Sequence, residues 1–161
     1  MNLLYPDTIV GSLKDIDLTY YWDLGKRGII LDIDNTITPW HQDTIAEGAR
    51  IFIEEALRMP FQVCLLSNAT YKRSAKIARQ YNIPYVAMAL KPRKKSFKQA
   101  LGNMKLSAGQ VIVIGDQLFT DIWGGNRTGC YTILVTPLDK KEFIWTQMMR
   151  GLESLLLRRR K

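Results

Sequence analysis

Two aspartates, Asp32 and Asp34, flank one isoleucine in the run Asp32-Ile33-Asp34-Asn35-Thr36. On an extended backbone, side chains at i and i+2 leave the same face. Two carboxylates held that way repel each other unless a cation or a proton is shared. The pair ends a nearly continuous apolar run, residues 28–33, so it stands where a strand leaves the interior. Burying such a pair there does nothing for stability. Metal ligation and acid–base catalysis both fit, and the pair alone does not choose between them.

Three more polar clusters follow apolar runs. Ser67-Asn68-Ala69-Thr70 comes after residues 63–66 and before a helical pattern. A hydroxyl and free N–H groups at a helix start make an anion site, although Ser and Asn are also ordinary caps. Lys91-Pro92 comes after residues 85–90. A lysine there can neutralise a phosphate or a carboxylate; its basic neighbours also suit a solvated surface. Gly115-Asp116-Gln117-Leu118-Phe119-Thr120-Asp121 comes after residues 111–114. Asp116 and Asp121 offer oxygen ligands that suit magnesium, a hard ion that keeps part of its water shell.

The elements that must position these groups alternate. Strand-like runs at 28–33, 63–66, 85–89, 111–114 and 131–135 are separated by helical patterns. Residues 44–58 place Ala46, Ala49, Ile53 and Ala56 on one face, and residues 70–81 place Tyr71, Ala75 and Ala78 on one face. Residues 94–104 and 121–128 are shorter helical candidates. Residues 12–24 read as including a helix that ends at Gly25, and residues 1–11 carry no clear signal. Alternating strands and helices imply an α/β fold with a mostly parallel sheet and right-handed crossovers. Ligands in such folds bind beyond the carboxyl ends of the strands, where all four polar clusters fall.

The chain has 161 residues, 47% hydrophobic and 24% charged, enough for one domain with a real core. No apolar stretch approaches the roughly 20 residues that span a bilayer, and no signal-peptide pattern opens the chain; a cytoplasmic protein is expected. Cys64 and Cys130 lie in apolar runs and read as core, and with His41 the only histidine a zinc site is excluded. His41 itself reads as a surface residue. Net charge is +8, with no acidic residue between Glu55 and Asp116 and with Arg158-Arg159-Arg160-Lys161 at the end. That asymmetry suits an anionic partner: a phosphorylated substrate, a lipid surface or nucleic acid.

Together the four clusters resemble, in order and spacing, the motifs of the haloacid-dehalogenase-like (HAD) phosphatases, over residues 28–129. Asp32-Ile33-Asp34-Asn35-Thr36 resembles the first motif, Ser67 the second, Lys91 the third and the Gly115–Asp121 run the fourth. The wider chain is similar to the YqeG family of subclass IIIA. Leu4-Tyr5-Pro6-Asp7, Ala89-Leu90-Lys91-Pro92 and Gly124-Gly125-Asn126-Arg127-Thr128-Gly129 carry that likeness. The family resembles the mitochondrial phosphatidylglycerophosphate phosphatases.

The resemblance implies a three-layer Rossmann-like (HAD-like) fold and a Mg²⁺-dependent phosphomonoester hydrolase. Asp32 would be the nucleophile, forming an aspartyl phosphate, and Asp34 the general acid and base. Ser67, Asn68 and Lys91 would hold the phosphate. Mg²⁺ would be held by Asp32, by Asp34 through its backbone carbonyl, by Asp116 and by Asp121. Between Asp34 and Ser67 there is room for little beyond one helix and one strand, and the stretch from Ser67 to Lys91 is shorter still. No cap domain fits, so an open site is expected, covered at most by a short flap at Pro39-Trp40-His41.

One domain over 1–161 is expected, with residues 139–161 forming an amphipathic helix and basic tail. The apolar stripe of that helix suits either packing on the sheet or contact with an anionic membrane. An open site suits a bulky or membrane-held substrate such as phosphatidylglycerophosphate. A soluble sugar, nucleotide or protein phosphate is the alternative. A nucleic-acid or ribosome-binding module on the same fold is the alternative of another class, and no nucleic-acid motif supports it. Oligomeric state is not legible.

Overall fold

The computed structural model describes residues 2–139 and Gly151. Apart from Asp139 and Gly151, the expected C-terminal helix and basic tail lie outside the described residues. Among the described residues six strands form one sheet: β1 (Thr8–Val10), β2 (Gly28–Leu31), β3 (Gln62–Leu66), β4 (Tyr85–Val86), β5 (Val111–Gly115) and β6 (Tyr131–Val135). Their order is β1-β6-β5-β2-β3-β4, and every pair is parallel.

Both faces of the sheet are covered, and period-two alternation along β2 shows how. Ile29 and Leu31 join one apolar cluster, with α1 (Leu18–Asp23), α2 (Glu47–Arg58) and α3 (Tyr71–Ala78). Ile30 joins the other, with Phe97, Ala100 and Met104 of α4 (Lys94–Met104). Helix α5 (Trp123–Thr128) packs beside α4 on that second face. Its glycines make this possible. A Cβ on Gly124 would overlap the Phe97 ring, and one on Gly125 would come within 2.7 Å of Thr132. The result is the expected three-layer α/β sandwich.

From β2 the chain winds outward through β3 and β4, then returns to β5 on the other side of β2. The order therefore reverses between β2 and β5. In such a sheet the loops after those two strands diverge to opposite faces and leave a crevice at their carboxyl ends. Leu31 is opposite Ile114, so Asp32 and Asp116 leave the sheet at nearly the same height.

Several elements differ in detail from the sequence reading. Residues 12–24 include the expected helix before Gly25, the short α1 capped by the Asp17 carboxylate, and add a 3-10 turn (Leu13–Asp15) ahead of it. Strand β4 has two residues, because residues 87–91 turn out of the sheet into a tight loop. Tyr71 is exposed, so Ser74, Ala75, Ile77 and Ala78 form the buried face of α3. Strand β1 arises from the unassigned first residues. Cys64 and Cys130 are free and buried, and burial pushes both thiols up to about 12. Among the described residues no inserted element caps the site.

Candidate active site

Asp32 is the first residue past β2. Its N–H donates to the Ile114 carbonyl (3.0 Å), which fixes it beside β5. Asp116 directly follows β5. Asp121 comes from the π-helical turn Leu118–Ile122, which folds back over Gly115. A Cβ on Gly115 would overlap the Asp121 carboxyl group, so only glycine permits this close approach. The Gln117 N–H then donates to Asp121 Oδ2 (3.2 Å). The three carboxylates are all buried and present oxygens within 4.8 Å of one another.

One cation sits among them. Lys91 Nζ donates to Asp32 Oδ1 at 2.5 Å and to Asp121 Oδ1 at 2.6 Å. Its side chain is 4% exposed. Thr36 Oγ1 donates to Asp32 Oδ2 at 3.0 Å, with a longer contact of 3.4 Å to Asp116 Oδ1. Burial raises Asp116 to about 9, and the charges of Asp32 and Asp121 add to the rise. Burial also raises Asp121, to about 6, against the pull of Lys91. Burial works against the Lys91 ammonium, but Asp121 and Asp32 outweigh it and hold its pKa above the usual lysine value.

Carboxyls raised this far are short of positive charge. A divalent cation at their common centre supplies it, and an all-oxygen donor set suits a hard ion. The buried acidic group therefore fits a divalent metal.

Asp34 lies apart from this group of three. Its carboxylate pairs with Arg73 Nη1 at 2.6 Å. Burial raises its pKa; Arg73 opposes the rise, the Asp32 charge adds to it, and Lys91 opposes it. The two aspartates of the run are thus relieved by different cations, Asp32 by Lys91 and Asp34 by Arg73. Arg73 also donates to Thr38 Oγ1 (3.1 Å) and the Gln42 carbonyl (2.6 Å), and it pairs with Asp43 (3.4 Å). It ties the start of α3 to the loop after β2.

Ser67 ends β3 fully buried, and its Oγ accepts from the Ala69 N–H (3.0 Å). Among the described residues the hydroxyl proton has no acceptor, which leaves it for a ligand. Asn68 uses its side-chain oxygen to accept from the Lys91 N–H (2.9 Å), so it holds the lysine loop in place. His41 is exposed and packs edge-on against Trp40. Sequence reasoning gave no role to Thr36 or Arg73. Thr36 stood inside the first motif; Arg73 was one of a basic stripe, with nothing to single it out.

The sequence of residues 89–137 matches the HAD-hydrolase-like family model. Over 152 residues the chain is 34% identical to "Probable phosphatase YqeG" of Bacillus subtilis (strain 168), covering 94% of this chain and 88% of that protein. The chain belongs to the YqeG family of HAD-like phosphatases. As a member of that family it is a hydrolase of phosphoric monoesters. HAD phosphatases generally use a divalent metal, which agrees with the acidic group. A phosphorylated substrate fits the same assignment.

A second relative is "Phosphatidylglycerophosphate phosphatase 1, chloroplastic/mitochondrial" of Arabidopsis thaliana, 29% identical over 169 residues. That match covers 98% of this chain and 48% of the Arabidopsis protein, so the YqeG-type chain spans about half its length. Among solved structures, the cobalt-bound form of the deoxy-D-mannose-octulosonate 8-phosphate phosphatase (YrbI) from Haemophilus influenzae aligns with a TM-score of 0.57 at 16% identity. It covers 69% of this chain and 68% of that one, and it shows a shared fold. Among the described residues, no helix is long and apolar enough to cross a membrane.

Proposed function

We propose that this chain is a magnesium-dependent phosphatase that works through an aspartyl phosphate on a phospholipid monoester, with phosphatidylglycerophosphate as its substrate. The observation that carries the reading is Asp32, a buried carboxylate held by Lys91 and Thr36 beside two further acids. The absence of a cap among the described residues and the name of the Arabidopsis relative support the substrate. Residues 1–161 act as one domain, in the cytoplasm and at the membrane surface.

In the proposed reaction Asp32 attacks phosphorus in line. The bond from phosphorus to the ester oxygen breaks, and Asp34 gives its proton to that oxygen. Asp34 then takes a proton from water, which attacks the aspartyl phosphate, releases inorganic phosphate and restores Asp32. Burial and the Asp32 charge favour the proton on Asp34, while Arg73 and Lys91 favour its departure. Such a balance suits a group that must do both. Ser67 and the Asn68 N–H hold the phosphate in line, and Lys91 offsets its charge.

Asp32, Asp116 and Asp121 would hold Mg²⁺, together with the Asp34 backbone carbonyl. When bound, the ion supplies the positive charge that lets a phosphate dianion approach several carboxylates. The test is a phosphate-release panel: phosphatidylglycerophosphate in mixed micelles, soluble sugar and nucleotide phosphates, and terminally phosphorylated oligonucleotides. Release from the lipid, abolished by a chelator and restored by magnesium, is the expected result. Rapid release from a soluble ester without release from the lipid overturns the substrate. Activity indifferent to the chelator overturns the metal.

A further inference from the structure

Residues 87–91 show an unusual burial pattern. Ala87, Ala89 and Lys91 are buried, whereas Met88 and Leu90 between them are 55% and 56% exposed. The small side chains point in and the large apolar ones point out. The loop is pinned in that state. The Met88 N–H donates to the Ala69 carbonyl, the Ala89 N–H to the Ser67 carbonyl and the Lys91 N–H to the Asn68 side chain. Met88 and Leu90 both have left-handed backbones (φ 46° and 52°), a conformation that bulky side chains rarely adopt. The fold accepts this strain and keeps both side chains in solvent.

The same feature recurs around the mouth. Trp40, Tyr71, Phe119 and Leu138 are also exposed. With Met88 and Leu90 they place at least one large apolar side chain in the segment that follows each of the strands β2 to β6. Two rim segments are bound together: the Leu138 N–H donates to the Asn35 carbonyl, and the Trp40 N–H to the Asp139 carboxylate. Phe119 also lines an apolar cavity of about 300 Å³ with Leu3, Leu4 and Trp123. Lone exposed apolar residues are ordinary; a set gathered around one opening marks a contact surface.

Charge identifies what it contacts. Lys72, Arg93, Lys94 and Lys95 are exposed at the amino ends of α3 and α4, on the same side as the rim. Glu47 is the exposed acid at the amino end of α2; of the other acids here, Asp43 is engaged by Arg73 and Lys76, and the Asp139 carboxylate accepts from the Trp40 N–H. A second copy docked face to face would bring these cations against one another. A bilayer interface offers hydrocarbon to the apolar tips and phosphate groups to the cations. We propose that the mouth of the site is a docking surface for an anionic lipid bilayer, with Met88 and Leu90 as its inserting tips. This rests on the reading of the site as a phosphatase of a membrane-held monoester, whose headgroup would then enter without leaving the bilayer.

Flotation of the full chain with phosphatidylcholine vesicles, with and without phosphatidylglycerol, tests it. Wild type is expected to float with the anionic vesicles. Met88→Ser/Leu90→Ser should lose vesicle affinity by about tenfold or more. Lys94→Gln/Lys95→Gln should lose affinity and salt sensitivity. Tyr20→Ser/Leu24→Ser, altered at exposed apolar positions away from the rim, should float like wild type. Hydrolysis of a soluble aryl phosphate should be unchanged in all three variants, which reports on their folding. Because Cys64 and Cys130 are buried, Met88→Cys takes an environment-sensitive fluorophore selectively, and its emission should shift to the blue on anionic vesicles. Wild type that does not float overturns the proposal and leaves a protein as the occupant. Flotation undiminished in Met88→Ser/Leu90→Ser, or an unshifted label, also overturns it. Failure of the catalytic reading shows separately, as flotation without phosphate release from any ester.

Discussion

Replacing Lys91 with methionine removes the one cation among three buried carboxylates while keeping a side chain of similar length. Its ammonium lies 2.5 Å from Asp32 and 2.6 Å from Asp121, and its side chain is 4% exposed. The burial decides the magnitude. An exposed ion pair contributes about 0.2–1 kcal/mol, whereas removing one partner of a buried pair costs about 3–5 kcal/mol. Lys91→Met should therefore lose about 3–5 kcal/mol of unfolding free energy at neutral pH in the presence of a chelator. The loss should shrink as pH falls, because a proton on Asp121, whose pKa burial raises and Lys91 holds down in the wild type, replaces the missing cation. Lys76→Met, which breaks the exposed pair with Asp43, should cost far less. Denaturant unfolding at several pH values measures this, and phosphate release should fall by about 10²–10³. A Lys91→Met protein as stable as wild type in chelator at neutral pH would refute the reasoning.

Three other outcomes are expected. Arg73→Met removes the main group opposing the rise in the Asp34 pKa, so the limb of the pH–rate profile set by Asp34 should move to higher pH; an unmoved profile separates Asp34 from the pH dependence. Gly115→Ala forces a methyl group into the Asp121 carboxyl, and phosphate release should drop by about tenfold or more with the sheet intact, as circular dichroism would show. Chelated protein should lose stability as pH rises from about 4. Asp121 and Asp116 are raised from 3.8 to about 6 and about 9, so the folded state binds the extra protons across that window. Added magnesium should flatten the decline, and a stability that rises through the window would contradict the raised values.

The parts of this molecule that rest on local pattern were legible in the sequence. Residues 94–104 and 131–135 form the expected elements, because a helical stripe and an apolar run each decide their own structure. Strand β1 was hidden: three residues at a sheet edge have no period to read, and only pairing with β6 defines them. Residues 87–89 read as strand because Ala and Met are apolar, yet the hydrogen bonds that turn them outward come from residues 67–69. The site divides the same way. Asp32, Ser67 and Asp116 stand directly after strands and declare themselves, whereas Lys91 reaches the site only through the loop after β4. Arg73 is one cation among several on α3, and only the packing of that helix beside the loop after β2 brings it to Asp34. Likewise the role of Gly115 depends on a carboxylate six residues later folding back over it.

The most direct measurement is phosphate release by Asp32→Asn in the presence of magnesium, alongside its circular dichroism. The side chain keeps its size and loses only the nucleophilic charge. The expected result is a folded protein with release at the uncatalysed background. Release at the wild-type rate would contradict the assignment of Asp32 as the attacking group and with it the proposed chemistry of the site.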